Sequence, residues 1–370
     1  MNTVRLQGLL HLGDIASWCT EESPLHFELS HRFKFDPLAE GLASIKLAEL
    51  RTKGGFLVHL NFPWNPSDGI QQLGSLKSLF GLCLAYDAVR VLGKNGEDVK
   101  NSVLSALWTE LQDQKGELAN EDRRYVVFRE PDIPIPACLG KTVPGKFPSR
   151  SSFASFLSRS AGSMRMIIRQ SPTEDQITTF LYEAAHNSHE HGRLSSTNEG
   201  LIGFRGIIGS RLLQEDLTKR DGFPRVYAAL SAFEQRLSRL QGKSIVLLAY
   251  TVTDFGRGIQ HTLPPKDVNE TLEQRLIRAF KSGESRKTHG TATSVGEGLD
   301  KMLAASRTLG AFIFVHSAGL LAFADFSDAQ DASLGQFLQQ NIQVSATNIG
   351  TSVTVIWPKQ PNPDQLSLFE

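Results

Sequence analysis

The stretch Phe180-Leu-Tyr-Glu183-Ala-Ala-His-Asn187-Ser-His-Glu-His191-Gly192 sits in the middle of the chain, and the rest of the sequence is best read outward from it. Glu183, Asn187 and His191 recur every four residues. On a helix with about 3.6 residues per turn, that spacing puts all three on one face. Phe180, Ala184 and Ser188 flank this polar stripe, so the helix is only partly apolar where it should be buried. Two readings remain open at this point: a solvated helix face that stops at Gly192, or a face that binds something.

The remainder of the C-terminal part bears on that choice. Ser171 or Thr173 can cap a helix that starts near Pro172, and Ile177, Phe180, Leu181 and Ala184 give it a buried stripe. A helix around 226–240 follows, with Leu230, Phe233 and Leu237 spaced as a core face. Lys243-Ser-Ile-Val-Leu-Leu-Ala-Tyr-Thr-Val-Thr-Asp254 is then a run of apolar and β-branched residues that reads as a strand. The strand ends in Asp254-Phe-Gly256-Arg-Gly258-Ile259. A carboxylate beside two alternating glycines sets an acceptor next to backbone that a flat ligand can approach closely. An ionised Asp accepts only, so it suits the exocyclic amine of adenine and rejects the carbonyl of guanine at the same place.

A second glycine set, Gly290-Thr-Ala-Thr-Ser-Val-Gly296-Glu-Gly298-Leu299, runs into a helix over 300–306. Unsatisfied N–H groups at such a helix start favour an anion. No GxxxxGK[ST] phosphate loop occurs. Ala311–His316 and Leu320–Phe326 read as a hairpin-like pair, and Gly350-Thr351-Ser-Val-Thr-Val-Ile-Trp-Pro358 as a last strand before a polar tail over 359–370, expected to be disordered.

Toward the N-terminus, Leu25–Ser30 alternates as a strand, and Asp36-Pro37 reads as a helix cap followed by the first helical residue. That helix runs to about Thr52 before Gly54-Gly55, and Phe56–Phe62 is a buried strand. Ser75–Leu84 reads as a second helix or a tight turn. From Lys115 to Arg150 the chain is charged and then rich in proline, at positions 131, 134, 136, 144 and 148, and reads as a connector.

At 370 residues the chain has room for about two domains at roughly 100–200 residues each. The reading is a small α/β domain over 1–114, a connector over 115–150 and a larger domain over 151–358. The 39 basic residues cancel the 39 acidic ones, so the composition carries no strong nucleic-acid signal. Cys19, Cys83 and Cys138 stand far apart without ligand or disulfide spacing. His186, His189 and His191 cluster with Glu190, but no second cluster completes a zinc site. No apolar run approaches the ~18–20 residues of a spanning helix, and the expectation is a cytoplasmic protein without membrane contact.

Taken in order, Glu183…Asn187…His191-Gly192, Asp254-x-Gly256-x-Gly258-Ile259, Gly296-x-Gly298-Leu299 and Gly350-Thr351 resemble the N, G1 and G2 boxes and closing strand of the GHKL ATP-binding superfamily of gyrases, heat-shock chaperones, histidine kinases and MutL. The match spans about 165–358, and the helix text is closest to the anti-sigma and histidine-kinase branch. The resemblance implies an α/β (α+β) fold whose C-terminal part is a Bergerat-type two-layer sandwich of mixed sheet and helices. It implies ATP and Mg²⁺ as ligands, with Asn187 on the metal and Glu183 as the general base. Asp254 would take the adenine amine with Thr351 in support, Gly256 and Gly258 would allow close approach, and Gly296, Gly298 and Leu299 would line the phosphates. Phe280–Lys287 resembles the segment leading into that family's lid, which makes Lys287 a phosphate cation.

The implied function is a regulatory protein in which ATP binding or hydrolysis controls an interaction with a protein partner not named by the sequence. A homodimer is expected in the branch where closure on ATP drives dimerisation. The alternatives are a serine/threonine kinase of anti-sigma type and a non-hydrolysing ATP sensor; residues 151–166 offer no acceptor histidine for autophosphorylation. Residues 1–100 loosely resemble a STAS domain, with Asp36 where that family's phosphate-accepting Ser or Thr would stand.

Overall fold

Two sheets organise the chain, and one helix, laid between them, joins their cores. The computed structural model describes residues 3–18, 25–120, 123–128, 139, 147–163, 172–192, 203–213, 223–241, 246–280, 298–327, 343–344 and 347–358. The N-terminal part runs β1 (Thr3–Leu10), α1 (Leu12–Ala16), β2 (Leu25–Phe35), α2 (Ala39–Thr52), β3 (Phe56–Leu60), α3 (Leu79–Asp87), β4 (Arg90–Leu92) and α4 (Lys100–Asp113). Its four strands pair in the order β1-β2-β3-β4, parallel at every step. Helical crossovers of the strand–helix–strand kind produce that arrangement.

The second part comprises β5 (Glu117–Asn120), β6 (Arg123–Phe128), α5 (Arg150–Ser163), α6 (Pro172–His191), β7 (Arg205–Leu213), α7 (Pro224–Gln241), β8 (Val246–Asp254), α8 (Leu272–Ala279), α9 (Gly298–Thr308), β9 (Phe312–Ser317), β10 (Leu320–Asp325), β11 (Gln343–Val344) and β12 (Thr351–Pro358). Its strands form one eight-stranded sheet, β11-β10-β9-β12-β8-β7-β6-β5. Every pairing in it is antiparallel, where a mixed sheet was expected. The parallel strands are confined to the N-terminal sheet.

The alternation of side chains along these strands divides the core in two. Leu248, Tyr250 and Val252 of β8 face one way, with Ile177, Phe180 and Leu181 of α6 and with residues of α5, α8 and α9. Leu247 and Ala249 face the other way, into a core continuous with α2, α3, α7 and the buried face of the N-terminal sheet. The two parts therefore share a core rather than meeting through a linker.

The connector expected over 115–150 also begins later, because residues 117–120 and 123–128 are strands of the large sheet. Leu118, Tyr125 and Val127 join one core, and Val126 the other. The proline-rich part of that segment lies mostly outside the described residues, as does the tail over 359–370.

Helix α2 is held to the sheet at both ends of its first turns. The Asp36 carboxylate accepts the N–H groups of Leu38 and Ala39 at 2.8 and 2.9 Å, so it caps the helix as expected, although the helix itself starts at Ala39 rather than Pro37. Thr251 Oγ1 of β8 donates to the Pro37 carbonyl at 3.3 Å. One turn on, a Cβ at Gly41 would overlap Ser352 Oγ and lie 3.1 Å from Thr251 Cγ2. A mid-helix glycine ordinarily costs about 0.5–1 kcal/mol relative to alanine, yet here the close approach reverses the sign. We expect Gly41→Ala to destabilise the protein by about 1–3 kcal/mol through overpacking, read as a lower urea midpoint; an unchanged or raised midpoint would show that α2 can move off the sheet freely.

Candidate functional site

Helix α6 lies on one face of the large sheet, with its C-terminal end directed at the end of β8. Gly192 closes it, and its N–H donates to the Ser188 carbonyl at 2.9 Å. A Cβ there would sit 2.5 Å from Asp254 Cγ, and one at Gly256 would sit 2.6 Å from Gly192 Cα. The helix end and the strand end thus pack backbone to backbone, and only glycine at both places permits it. Gly256 acts as a spacer for this contact and does not itself line the cavity in front of it.

That cavity has a volume of about 310 Å³. Around it lie Glu183, Asn187, Asp254, Gly258, Gly298, Leu299 and Thr351, so seven residues singled out from the sequence come together. Gly258 has φ +87°, a left-handed conformation that other residues rarely adopt, and a Cβ there would reach to 2.5 Å from that of Ala318. Lys287 and Gly296 lie outside the described residues.

The cavity has two chemically distinct ends. At one, Asp254 and Thr351 pair across β8 and β12. Asp254 is buried, and its Oδ1 accepts the Gly256 N–H at 2.9 Å. Burial pushes its carboxyl up to about 7, against the opposing pull of the Gly256 amide, the Arg205 charge and the Thr351 amide. A carboxylate held this close to neutral pH prefers a ligand that donates a hydrogen bond.

At the other end α9 begins. Gly298, its first residue, faces Glu183 and Asn187 together: a Cβ would lie 2.9 Å from Glu183 Oε2 and 3.4 Å from Asn187 Nδ2. The Asn187 Nδ2 is buried and has no hydrogen-bond partner among the described residues, an orphan that a ligand can satisfy. Unsatisfied N–H groups and the dipole at the start of an 11-residue helix favour an anion there. A carboxylate and an anion at one helix start repel unless a cation bridges them. The Asn187 amide offers the hard oxygen that Mg²⁺ takes while keeping most of its waters.

Several lining residues were not anticipated. Lys301 and Met302, one turn into α9, border the cavity, as do Thr262, Tyr182 and His186. Lys301 follows Gly298 by three residues, a spacing that returns it to the same helix face, and this was the available signal. His191, read as the third member of the polar stripe, also lines the cavity, and its ring lies 4.0 Å from Glu190. Tyr182 and His186 stack with centroids 5.7 Å apart at the rim.

Among the described residues, no helix is long and apolar enough to cross a membrane. A scan of the chain against protein-family models returned no match, and a search of curated proteins likewise returned none.

Proposed function

We propose that this chain binds ATP with Mg²⁺ in the manner of the GHKL superfamily, and that the nucleotide state controls an interaction with a protein partner. In this reading the large sheet with α5, α6, α8 and α9 on one face is the Bergerat-type sandwich. One observation carries it: a single cavity has a buried, donor-seeking Asp254 at one end and the start of α9 beside Glu183 and Asn187 at the other. Adenine donates its amine to Asp254, and the triphosphate reaches the N–H groups of α9. Asn187 would hold Mg²⁺, which would supply charge neutralisation to the phosphates.

Glu183 then has a defined task. Its carboxylate accepts the proton of an attacking water as the new P–O bond forms and the bond from the γ-phosphorus to the bridging oxygen breaks, leaving ADP and phosphate. A partner's serine hydroxyl in place of water makes the same geometry a kinase, as in the anti-sigma branch.

Titration of the full chain with a non-hydrolysable ATP analogue and Mg²⁺ tests binding, and its absence in the wild type overturns the reading. Turnover is tested separately. We expect Glu183→Ala to keep analogue affinity within about threefold and to lower phosphate release at least ~100-fold, the usual scale of general-base loss. Equal release by both proteins assigns the base elsewhere, and no release by either leaves a nucleotide sensor.

A further inference from the structure

Between the N-terminal part and the edge of the large sheet lies a second cavity of about 310 Å³. It is enclosed by the end of β2, the turn before α3, the start of α2 and the edge formed by β5 to β7. Its charge is unbalanced. Arg32, Lys34, Lys77, Arg123 and Arg211 border it, against two acids, Asp36 and Glu40.

Both acids are already engaged. One oxygen of Asp36 caps α2, and the other accepts the Tyr227 hydroxyl and lies 3.0 Å from His11 Nδ1. Glu40 pairs with Arg123, which also donates to the Phe35 carbonyl. Lys77 pairs with Glu110 at 2.7 Å. What remains is an excess of cation. Arg32 stands exposed on β2, and Arg211 is only partly exposed, its Nε shut off from water and without a hydrogen-bond partner among the described residues. A shielded guanidinium nitrogen with nothing to donate to is costly unless a ligand supplies an acceptor. Leu9, Phe33, Pro37 and Tyr125 add an apolar and aromatic stretch to a wall that also carries Gln71, Ser75 and Ser78.

We propose that this cavity is a second ligand site, for a small organic phosphate with a flat apolar body. The phosphate fits because two guanidinium groups can each hold its oxygens in a two-pronged hydrogen bond, and because a dianion offsets the cation excess that a single carboxylate would leave. The volume lies at the lower end of the range for small-molecule sites, which suits one ring and its phosphate. The site stands independently of the nucleotide reading, sharing no lining residue with the first cavity.

Phenyl phosphate is the probe, titrated calorimetrically into the full chain at low ionic strength. We expect one-to-one binding by the wild type and at least a tenfold loss in each of Arg211→Gln and Arg32→Gln. Asp254→Asn should leave it unchanged, since that residue belongs to the other cavity. Inorganic phosphate should bind at least tenfold more weakly. Arg32 is exposed, so its variant keeps the test valid even if Arg211→Gln folds poorly. No binding by the wild type, or unchanged binding in the Arg32→Gln/Arg211→Gln double variant, overturns the site. Equal affinity for inorganic phosphate overturns the organic body of the ligand, and tighter binding of a phosphoserine peptide overturns its assignment to a small molecule.

Discussion

Asp254→Asn is expected to abolish ATP binding near neutral pH and, in the same protein, to raise the melting temperature of the ligand-free chain. The two effects share a cause. Burial raises the folded carboxyl to about 7 from an ordinary value of 3.8, so the folded state holds a proton that the unfolded chain releases. Folded stability is therefore greatest below about pH 4 with respect to this group and declines as pH rises toward 7. Integrated over that window, the shift amounts to about 4 kcal/mol at most. Asparagine removes the penalty while its Oδ1 can still accept the Gly256 N–H.

For the nucleotide the same change is damaging. With Oδ1 committed to Gly256, the amide presents N–H to an amine that also donates. Loss of a charge-assisted hydrogen bond and the clash of two donors together cost about 3–5 kcal/mol, or at least a hundredfold in affinity. In the wild type, binding should release a proton at or below pH 7, seen as a dependence of the binding heat on the buffer's ionisation enthalpy, and affinity should fall as the solution is acidified below 7. Unaltered affinity in Asp254→Asn, or a binding heat independent of buffer at pH 6.5, would show that adenine does not meet this carboxylate.

Much of this site was legible because its signals are local. The four-residue spacing of Glu183 and Asn187 places them on one helix face whatever the tertiary structure, and both reach Gly298. Asp254 ends a strand whose unbroken apolar run already says that both faces are covered, as they are. What covers the second face was not legible. Helix α2 sits there through Gly41 and the Pro37 carbonyl, contacts with β8 and β12 residues more than 200 positions away. Nor does any local pattern join Asp36 to Tyr227, or Glu40 to Arg123.

Strands β5 and β6 were missed for a different reason. Arg123-Arg-Tyr-Val-Val-Phe has the composition of a strand, but it is short and runs directly into a proline-rich segment that opposes both helix and central strand. The same long-range pairings decide where the N-terminal part sits, which is why the sequence reads as two domains and a linker while the structure has one shared core.

The Glu40–Arg123 pair gives the second large effect. Glu40 belongs to α2 and Arg123 to β6, so the pair ties the N-terminal part to the edge of the large sheet, and both side chains are almost wholly buried. Burial pushes the Glu40 carboxyl up, while the Arg123 charge and its hydrogen bond, with a weaker contribution from the Tyr125 hydroxyl, draw it down. Arg123→Met removes the main opposing influence and leaves a buried acid without its ion-pair partner, a change that costs about 3–5 kcal/mol.

The sign of its pH dependence follows. A carboxyl raised further in the folded state stays protonated there at low pH and costs little. As pH rises past the unfolded value near 4.5 the unfolded chain ionises and the folded one resists, so stability is lost progressively. Urea unfolding should therefore find Arg123→Met closer to wild type at pH 5 than at pH 8, with the gap between the two proteins widening across that interval. Glu40→Gln combined with Arg123→Met should recover much of the loss at pH 8, because no charge is left buried; the remaining deficit is the Phe35 carbonyl that Arg123 no longer satisfies. A deficit in Arg123→Met that is the same at both pH values, or a double variant no better than the single, would mean that the ion pair does not hold the two parts together and that the apolar packing of α2 alone does so.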